Sequence, residues 1–263
     1  MSNLSCTSTK FCLGIDGTKL IQTTDGGVTW RVWTPGAWAT ASAVPNIEAL
    51  DCVSAANCWL AGFTAAPGGV AAPYLAQLRN GRVLAVGSLP RNSAGQPYAF
   101  TGISCPSAMS CTAVADTEAK SAISVMTSNG GLSWRLARMI SNGSATGVSC
   151  VRPGSGSSSG TPSIMVSHNG GQTWTSALTA TGADWNLGSI SCADANHCWA
   201  TTDSFTDVVL LGTADGGTSW TQVTSGAADG EYSSQVSYLN ASTWVTSADA
   251  RIFVTTDDGG LAG

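Results

Sequence analysis

Thr213-Ala214-Asp215-Gly216-Gly217-Thr218-Ser219-Trp220 is the stretch whose reading decides the fold. An acidic or amide residue followed by two glycines marks a tight chain reversal, because glycine adopts φ > 0 without steric cost. The Asp oxygen can accept backbone N–H bonds across the reversal, and the Trp three residues past the second Gly can fold back into an apolar gap. The pattern S/T-x-D/N-G-G-x-S/T-W recurs at Thr23 to Trp30, Thr127 to Trp134 and Ser167 to Trp174, and Thr256-Asp257-Asp258-Gly259-Gly260 begins a fifth copy. Only Arg79-Asn80-Gly81 stands at the corresponding place in the second unit.

Working outward, each copy lies about 20 residues after a cysteine preceded by Ser or Asp: Cys6, Cys52, Cys105, Cys150 and Cys192. Val236-Ser237-Tyr238 supplies a sixth such marker with an aromatic residue in place of the cysteine. Between markers the sequence has room for four short strands. In the fifth unit they read as Leu187 to Cys192, Cys198 to Thr202, Val208 to Thr213 and Trp220 to Thr224, separated by turn residues. A repeat of roughly 40 to 50 residues with four strands is the pattern of a propeller blade, which cannot bury its faces alone. The expected fold is therefore all-β: a six-bladed β-propeller of four-stranded antiparallel blades, occupying residues 1–263 as one domain. Its units start near 4, 50, 103, 148, 190 and 236, and the last blade lacks its outer strand.

The repeated D/N-G-G-x-S/T-W hairpin resembles the Asp-box, or BNR, repeat of sialidases, sortilin-type receptors, xyloglucan-cleaving glycosidases and the propeller assembly factors of photosystem II. The resemblance covers nearly the whole chain. It implies the propeller fold and leaves activity open, because that superfamily holds enzymes, receptors and assembly factors.

Composition agrees with strands and turns. Of 263 residues, 10% are charged, 31 are Gly and 10 are Trp, which leaves little material for solvent-facing helices. Eleven basic against 16 acidic residues give a net charge of -5, so the basic footprint of a nucleic-acid binder is missing. No run approaches the roughly 18 apolar residues of a spanning helix, and the first residues do not read as a signal peptide, so no membrane insertion is expected.

Eight of the nine cysteines form C-x5-C pairs: Cys6/Cys12, Cys52/Cys58, Cys105/Cys111 and Cys192/Cys198. Each would join the end of one strand to the start of the next, where cross-strand geometry suits a disulfide. Zinc is the competing reading, but its knuckles favour shorter spacing, and His168 and His197 are the only histidines. Tyr238 and Trp244 keep the same spacing in the sixth unit, a replacement that packing tolerates and a metal site would not. Disulfides place the chain in an extracellular or periplasmic compartment. Cys150 is left over, with Gly156 at its partner's spacing.

The box carboxylates Asp25, Asp215 and Asp258 are read as structural, since Asn129 and Asn169 keep the acceptor and discard the titratable group. Function is expected on the opposite face, where the other loops carry aromatic and acidic residues. The candidate ligand-binding set is Trp38, Glu48, Arg91, Tyr98, Asp184, Trp185, Asp229 and Arg251, because ring faces stack on sugars or peptide side chains while acids accept hydroxyl or amide bonds. The expected partner is a glycan or a protein, the expected state a monomer. Glu231 and Tyr232 are the catalytic candidates should the chain be a glycosidase of the sialidase-like kind. No cofactor is expected, with calcium in the acidic loop Asp203 to Asp207 as the exception.

Overall fold

The computed structural model describes residues 3–16, 19–35, 45–65, 71–90, 98–117, 121–142, 144–150, 154–159, 163–169, 172–179, 186–203, 208–224, 233–240, 243–248 and 251–255. All regular structure among them is β. The strands form five four-stranded sheets and one three-stranded sheet, each antiparallel with neighbours in chain order. The chain divides into two compact units, Met1–Ala137 and Arg138–Gly263.

In the first unit, sheet one holds β1 (Asn3–Cys6), β2 (Cys12–Asp16), β3 (Lys19–Thr23) and β4 (Arg31–Trp33). Sheet two holds β5 (Asn46–Ser54), β6 (Asn57–Ala65), β7 (Ala71–Arg79) and β8 (Arg82–Ala85). Sheet three holds β9 (Tyr98–Ser107), β10 (Ser110–Thr117), β11 (Ser121–Thr127) and β12 (Arg135–Asn142), whose residues from Arg138 onward are counted with the second unit. In the second unit, sheet four holds β13 (Ser144–Cys150), β14 (Gly154–Ser159), β15 (Ser163–Ser167) and β16 (Thr175–Thr179). Sheet five holds β17 (Asn186–Cys192), β18 (Cys198–Asp203), β19 (Val208–Thr213) and β20 (Thr221–Thr224). Sheet six holds β21 (Ser233–Asn240), β22 (Thr243–Ala248) and β23 (Arg251–Thr255).

Sheets face one another and bury side chains between them, so inner strands are covered on both faces. Asn57 through Gly62 of β6 are all buried. Period-two alternation sends Cys58 and Leu60 into a core with Leu13, Ile15 and Leu20 of sheet one, and Trp59 and Ala61 into a core with Phe100, Ala113 and Val125 of sheet three. In the second unit Ile164 and Val166 pack with Ile190, Ala200 and Leu211. First strands of successive sheets lie side by side within each unit, as in propeller blades.

That adjacency explains the Ser or Asp before three of the marker cysteines, Cys6, Cys52 and Cys150. Cys52 N–H donates to Ser5 Oγ at 3.0 Å, Cys105 N–H to Asp51 Oδ2 at 2.6 Å, and Cys192 N–H to Ser149 Oγ at 3.1 Å. One sheet's side chain thus satisfies a backbone donor of the next sheet that no strand partner reaches. Asp51 is the carboxylate among these latches. Burial pushes its pKa up, against the bonds from Cys105 N–H, Ser5 and Cys52 N–H.

The four C-x5-C pairs, Cys6–Cys12, Cys52–Cys58, Cys105–Cys111 and Cys192–Cys198, are disulfides, with Cα atoms 4.1, 3.9, 4.1 and 4.0 Å apart. Cys6 faces Cys12, Cys52 faces Cys58 and Cys192 faces Cys198 in register. The Cys52–Cys58 and Cys105–Cys111 bridges depart from the expected placement at strand ends. β5 runs on to Ser54 and β6 begins at Asn57, and β9 runs on to Ser107 and β10 begins at Ser110, so these cysteines lie inside their strands; the second bridge is also irregular. Ser110 pairs with Ser107 and Thr112 with Ser104, which sets Cys105 and Pro106 together opposite Cys111. This is a β-bulge, and it fits Pro106, which has no N–H to give to a regular ladder.

Tyr238 faces Trp244 in sheet six, at the place of a cysteine pair. Cys150 is buried outside any disulfide, and here the spacing misleads: its cross-strand partner is Gly154, while Gly156 pairs with Val148. The β13–β14 turn is two residues shorter than the cysteine turns, so the position counted from the spacing falls further along the strand.

Candidate functional site

The glycine hairpins are built alike from sequence upward. In sheet one the buried Thr23 donates its hydroxyl to Asp25 Oδ1 at 2.7 Å and accepts Gly27 N–H at 2.9 Å. Asp25 then accepts Thr29 N–H at 2.9 Å and the Thr29 hydroxyl at 2.5 Å. Gly26 and Gly27 sit at φ 77° and 91°, where an L side chain would be strained, and Gly26 N–H donates to Lys10 O in the neighbouring cysteine turn. Asp215 repeats the arrangement with Thr213, Gly217 and Ser219. In the third sheet Asn129 accepts from Thr127 and Ser133 N–H, but its amide Nδ2 donates to Ser133 Oγ at 2.8 Å. Asn169 does the same to Thr173. Aspartate and asparagine therefore hold the same hairpin with one proton pointing the opposite way, as the sequence comparison of the boxes predicts for a structural role.

Hydrogen bonds from the Thr29 side chain, the Thr29 N–H and Thr23 bring the Asp25 pKa from 3.8 to about 2. The Ser219 hydroxyl and N–H lead the bonds that bring Asp215 to about 2 as well. A folded pKa below the unfolded one means stability that is present above about pH 3.8 and lost as pH falls through about 2. The double variant Asp25→Asn/Asp215→Asn is accordingly expected to fold and to lose less stability than wild type between about pH 4 and about pH 2. Denaturant midpoints measured at both pH values check this; equal acid losses in the two proteins would refute it.

Asp194, the described carboxylate of the cysteine turns, is equally occupied. Asp194 accepts Asn196 N–H, His197 N–H and a bond from His197 Nδ1 at 2.8 Å. Burial works upward on Asp194, but these bonds together bring its pKa below the usual value. Among the described residues no group of three or more His, Cys, Asp or Glu side chains is placed to hold a metal ion. Most of the acidic loop Asp203 to Asp207 lies outside the described residues.

Of the residues expected on the opposite face, Glu48 is exposed on β5. Tyr98 opens β9 as a buried side chain, 5% exposed, edge-on to Phe100 with ring centroids 5.4 Å apart. Its hydroxyl donates to Pro90 O at 2.8 Å, and burial pushes its pKa up to about 12. Tyr98 is an internal anchor holding the incoming chain. Arg251 starts β23. Trp38, Arg91, Asp184, Trp185, Asp229, Glu231 and Tyr232 lie outside the described residues.

A cavity of about 200 Å³ lies between sheets one and two, near the hairpins. Buried Leu13, Cys58 and Leu78 form its floor, and half-buried Phe11, Gln22 and Trp33 its walls. Exposed Ala55, Ala56 and Gly81 rim it. None of these belongs to the candidate ligand-binding set given above, although the incomplete glycine pattern at Asn80-Gly81 marks the place.

No family model matches the chain, and no curated protein matches it. Solved structures do. YCF48 from Cyanidioschyzon merolae aligns with a TM-score of 0.63 at 11% identity, over 98% of this chain and 83% of that one. A structure of YCF48 bound to D1 peptide aligns at 0.55 and 13%, over 97% and 92%. The GH74 enzyme of Niastella koreensis gives 0.65 at 14%, over 99% and 46%, and Trypanosoma rangeli sialidase in complex with sialic acid 0.59 at 11%, over 97% and 53%. The chain thus spans about half of either enzyme. What is shared is the fold, a β-propeller.

Proposed function

We propose that this chain is a secreted binding or scaffold propeller whose loop face recognises a protein or glycan partner. The six sheets are taken as the blades of one closed domain, and the glycine hairpins as Asp-boxes. The observation that carries the reading is the commitment of the described turn carboxylates: Asp25, Asp215 and Asp194 each use their oxygens for bonds within their own turn. Such groups build a scaffold and leave recognition to the loops. Trp38, Glu48, Arg91, Asp184, Trp185, Asp229 and Arg251 would supply stacking faces and hydrogen-bond partners there. The similarity to YCF48 bound to D1 peptide supports a polypeptide partner ahead of a glycan. Four disulfides favour an oxidising, extracellular or periplasmic setting.

The alternative, a glycoside hydrolase using Glu231 and Tyr232, is supported by the likeness to the GH74 enzyme and the sialidase. A panel of chromogenic glycosides, including a sialoside, separates the two. No turnover is expected from the wild-type chain. Turnover that Glu231→Gln or Tyr232→Phe abolishes would overturn the binding reading.

A further inference from the structure

The cavity between sheets one and two occupies the place where the neighbouring interface stores a tryptophan pair. Between sheets two and three, Trp59 follows the second cysteine of its sheet and meets Trp134 of the box, with ring centroids 5.8 Å apart and planes at 80°. Both are buried. One interface earlier the residue after the second cysteine is Leu13. The box tryptophan is also replaced. Elsewhere the residue facing the second cysteine is the box Thr, as with Cys12 and Thr23, Cys111 and Thr127, or Cys198 and Thr213. The pairing of Gln22 with Arg31, and of Gly212 with Thr221, then sets Trp30 and Trp220 across from that Thr. In sheet two Cys58 faces Leu78, and Leu78 faces Val83. Leu and Val thus stand where two indoles pack next door.

The hairpin above is also two residues shorter, closing as Asn80-Gly81 between paired Arg79 and Arg82 with φ 49° and 74°. Trp33 partly compensates by reaching across to Gly81, its ring 3.8 Å from where a side chain there would begin. The remaining space is about 200 Å³.

We propose that this niche binds one planar aromatic ring of indole size. An apolar cavity of about 150 Å³ accepts benzene, whereas drug-sized ligands use roughly 300–1,000 Å³, so a fused bicycle fits and a disaccharide does not. Phe11 and Trp33 offer edges and faces to a ring, and the Gln22 amide, the polar side chain of the wall, offers an acceptor for a ring N–H. The exposed rim at Ala55, Ala56 and Gly81 lets a ring enter from solvent. The ring can belong to a free small aromatic or to a side chain of a bound polypeptide. The niche is separate from the loop face, and its test does not depend on the loops.

Calorimetry and ligand-observed NMR with indole and with N-acetyltryptophanamide test it on the intact, disulfide-bonded chain. Saturable indole binding is expected with a dissociation constant on the order of 1 mM, because one ring must offset its lost translational freedom. Leu13→Trp, which puts an indole back, should weaken it by about tenfold or more. Ala56→Leu, which narrows the rim without touching the core, should do the same and keeps the test valid should the first variant misfold. Binding of both probes identifies a side chain as a competent source, and binding of indole alone a free small molecule; either supports the site. Absence of saturation up to the solubility of indole, or undiminished binding in the folded variants, overturns it.

Discussion

Replacing Trp59 by alanine is expected to destabilise the Met1–Ala137 unit by about 3–5 kcal/mol, the range for emptying a fully buried tryptophan site. The residue is 0% exposed and its ring lies edge-on to Trp134. The far edge of the ring also lies under Gly131, where an added Cβ would stand 2.5 Å from it. The cavity left behind cannot collapse easily, because the hairpin above is fixed by the bonds of Gly131 N–H to Thr127 and of Ser133 N–H to Asn129. For a chain of this size the loss corresponds to a fall in melting temperature of roughly 10 °C. Thermal and urea unfolding of Trp59→Ala beside Trp59→Phe would read it. A loss below about 1 kcal/mol would mean that the two sheets close over the gap, contrary to the rigidity argued above.

Reduction of the four disulfides is expected to have a still larger combined effect. Each bridge closes a short turn with a sequence separation of 6, for which the chain-entropy relation gives about 2 kcal/mol. Four such terms come to about 9 kcal/mol, comparable with the whole stability of a typical domain. Incubation with excess dithiothreitol at about 37 °C should therefore abolish the cooperative unfolding transition, with eight newly titratable thiols beside that of Cys150. A reduced protein that still unfolds cooperatively within a few degrees of the oxidised one would show that sheet packing carries the fold without the bridges.

The all-β class and the strand limits of the fifth sheet were readable because turn chemistry and cysteine spacing repeat together. The strand read as Cys198 to Thr202 runs to Asp203, and Val208 to Thr213 is observed as expected. Strand alternation continues further than turn-forming residues suggest, so Phe63, Tyr74 and Asp116 belong to β6, β7 and β10, and Trp33 to β4. The bulge at Cys105, Pro106 and Cys111 was hidden for a related reason, since a spacing of six is the same whether the two cysteines face each other squarely or across an extra residue. Tyr98 shows the limit at a candidate site: an aromatic beside a polar loop reads as a contact, yet its hydroxyl is satisfied internally by Pro90 O. The niche between sheets one and two was encoded partly as an absence: the second unit lacks the box tryptophan in sequence, but only the register sets Val83 in its place, while Leu13 holds the position that Trp59 takes in sheet two and Trp199 in sheet five.

The latches between first strands also give the molecule a direction. In each of the three, the acceptor side chain lies earlier in the chain and the donor N–H later. Ser5 is synthesised before the strand of Cys52, and Asp51 before that of Cys105. Because a sheet cannot bury its faces alone, the latch forms as two successive sheets pack, with the earlier sheet carrying the acceptor for the backbone donor of the later one.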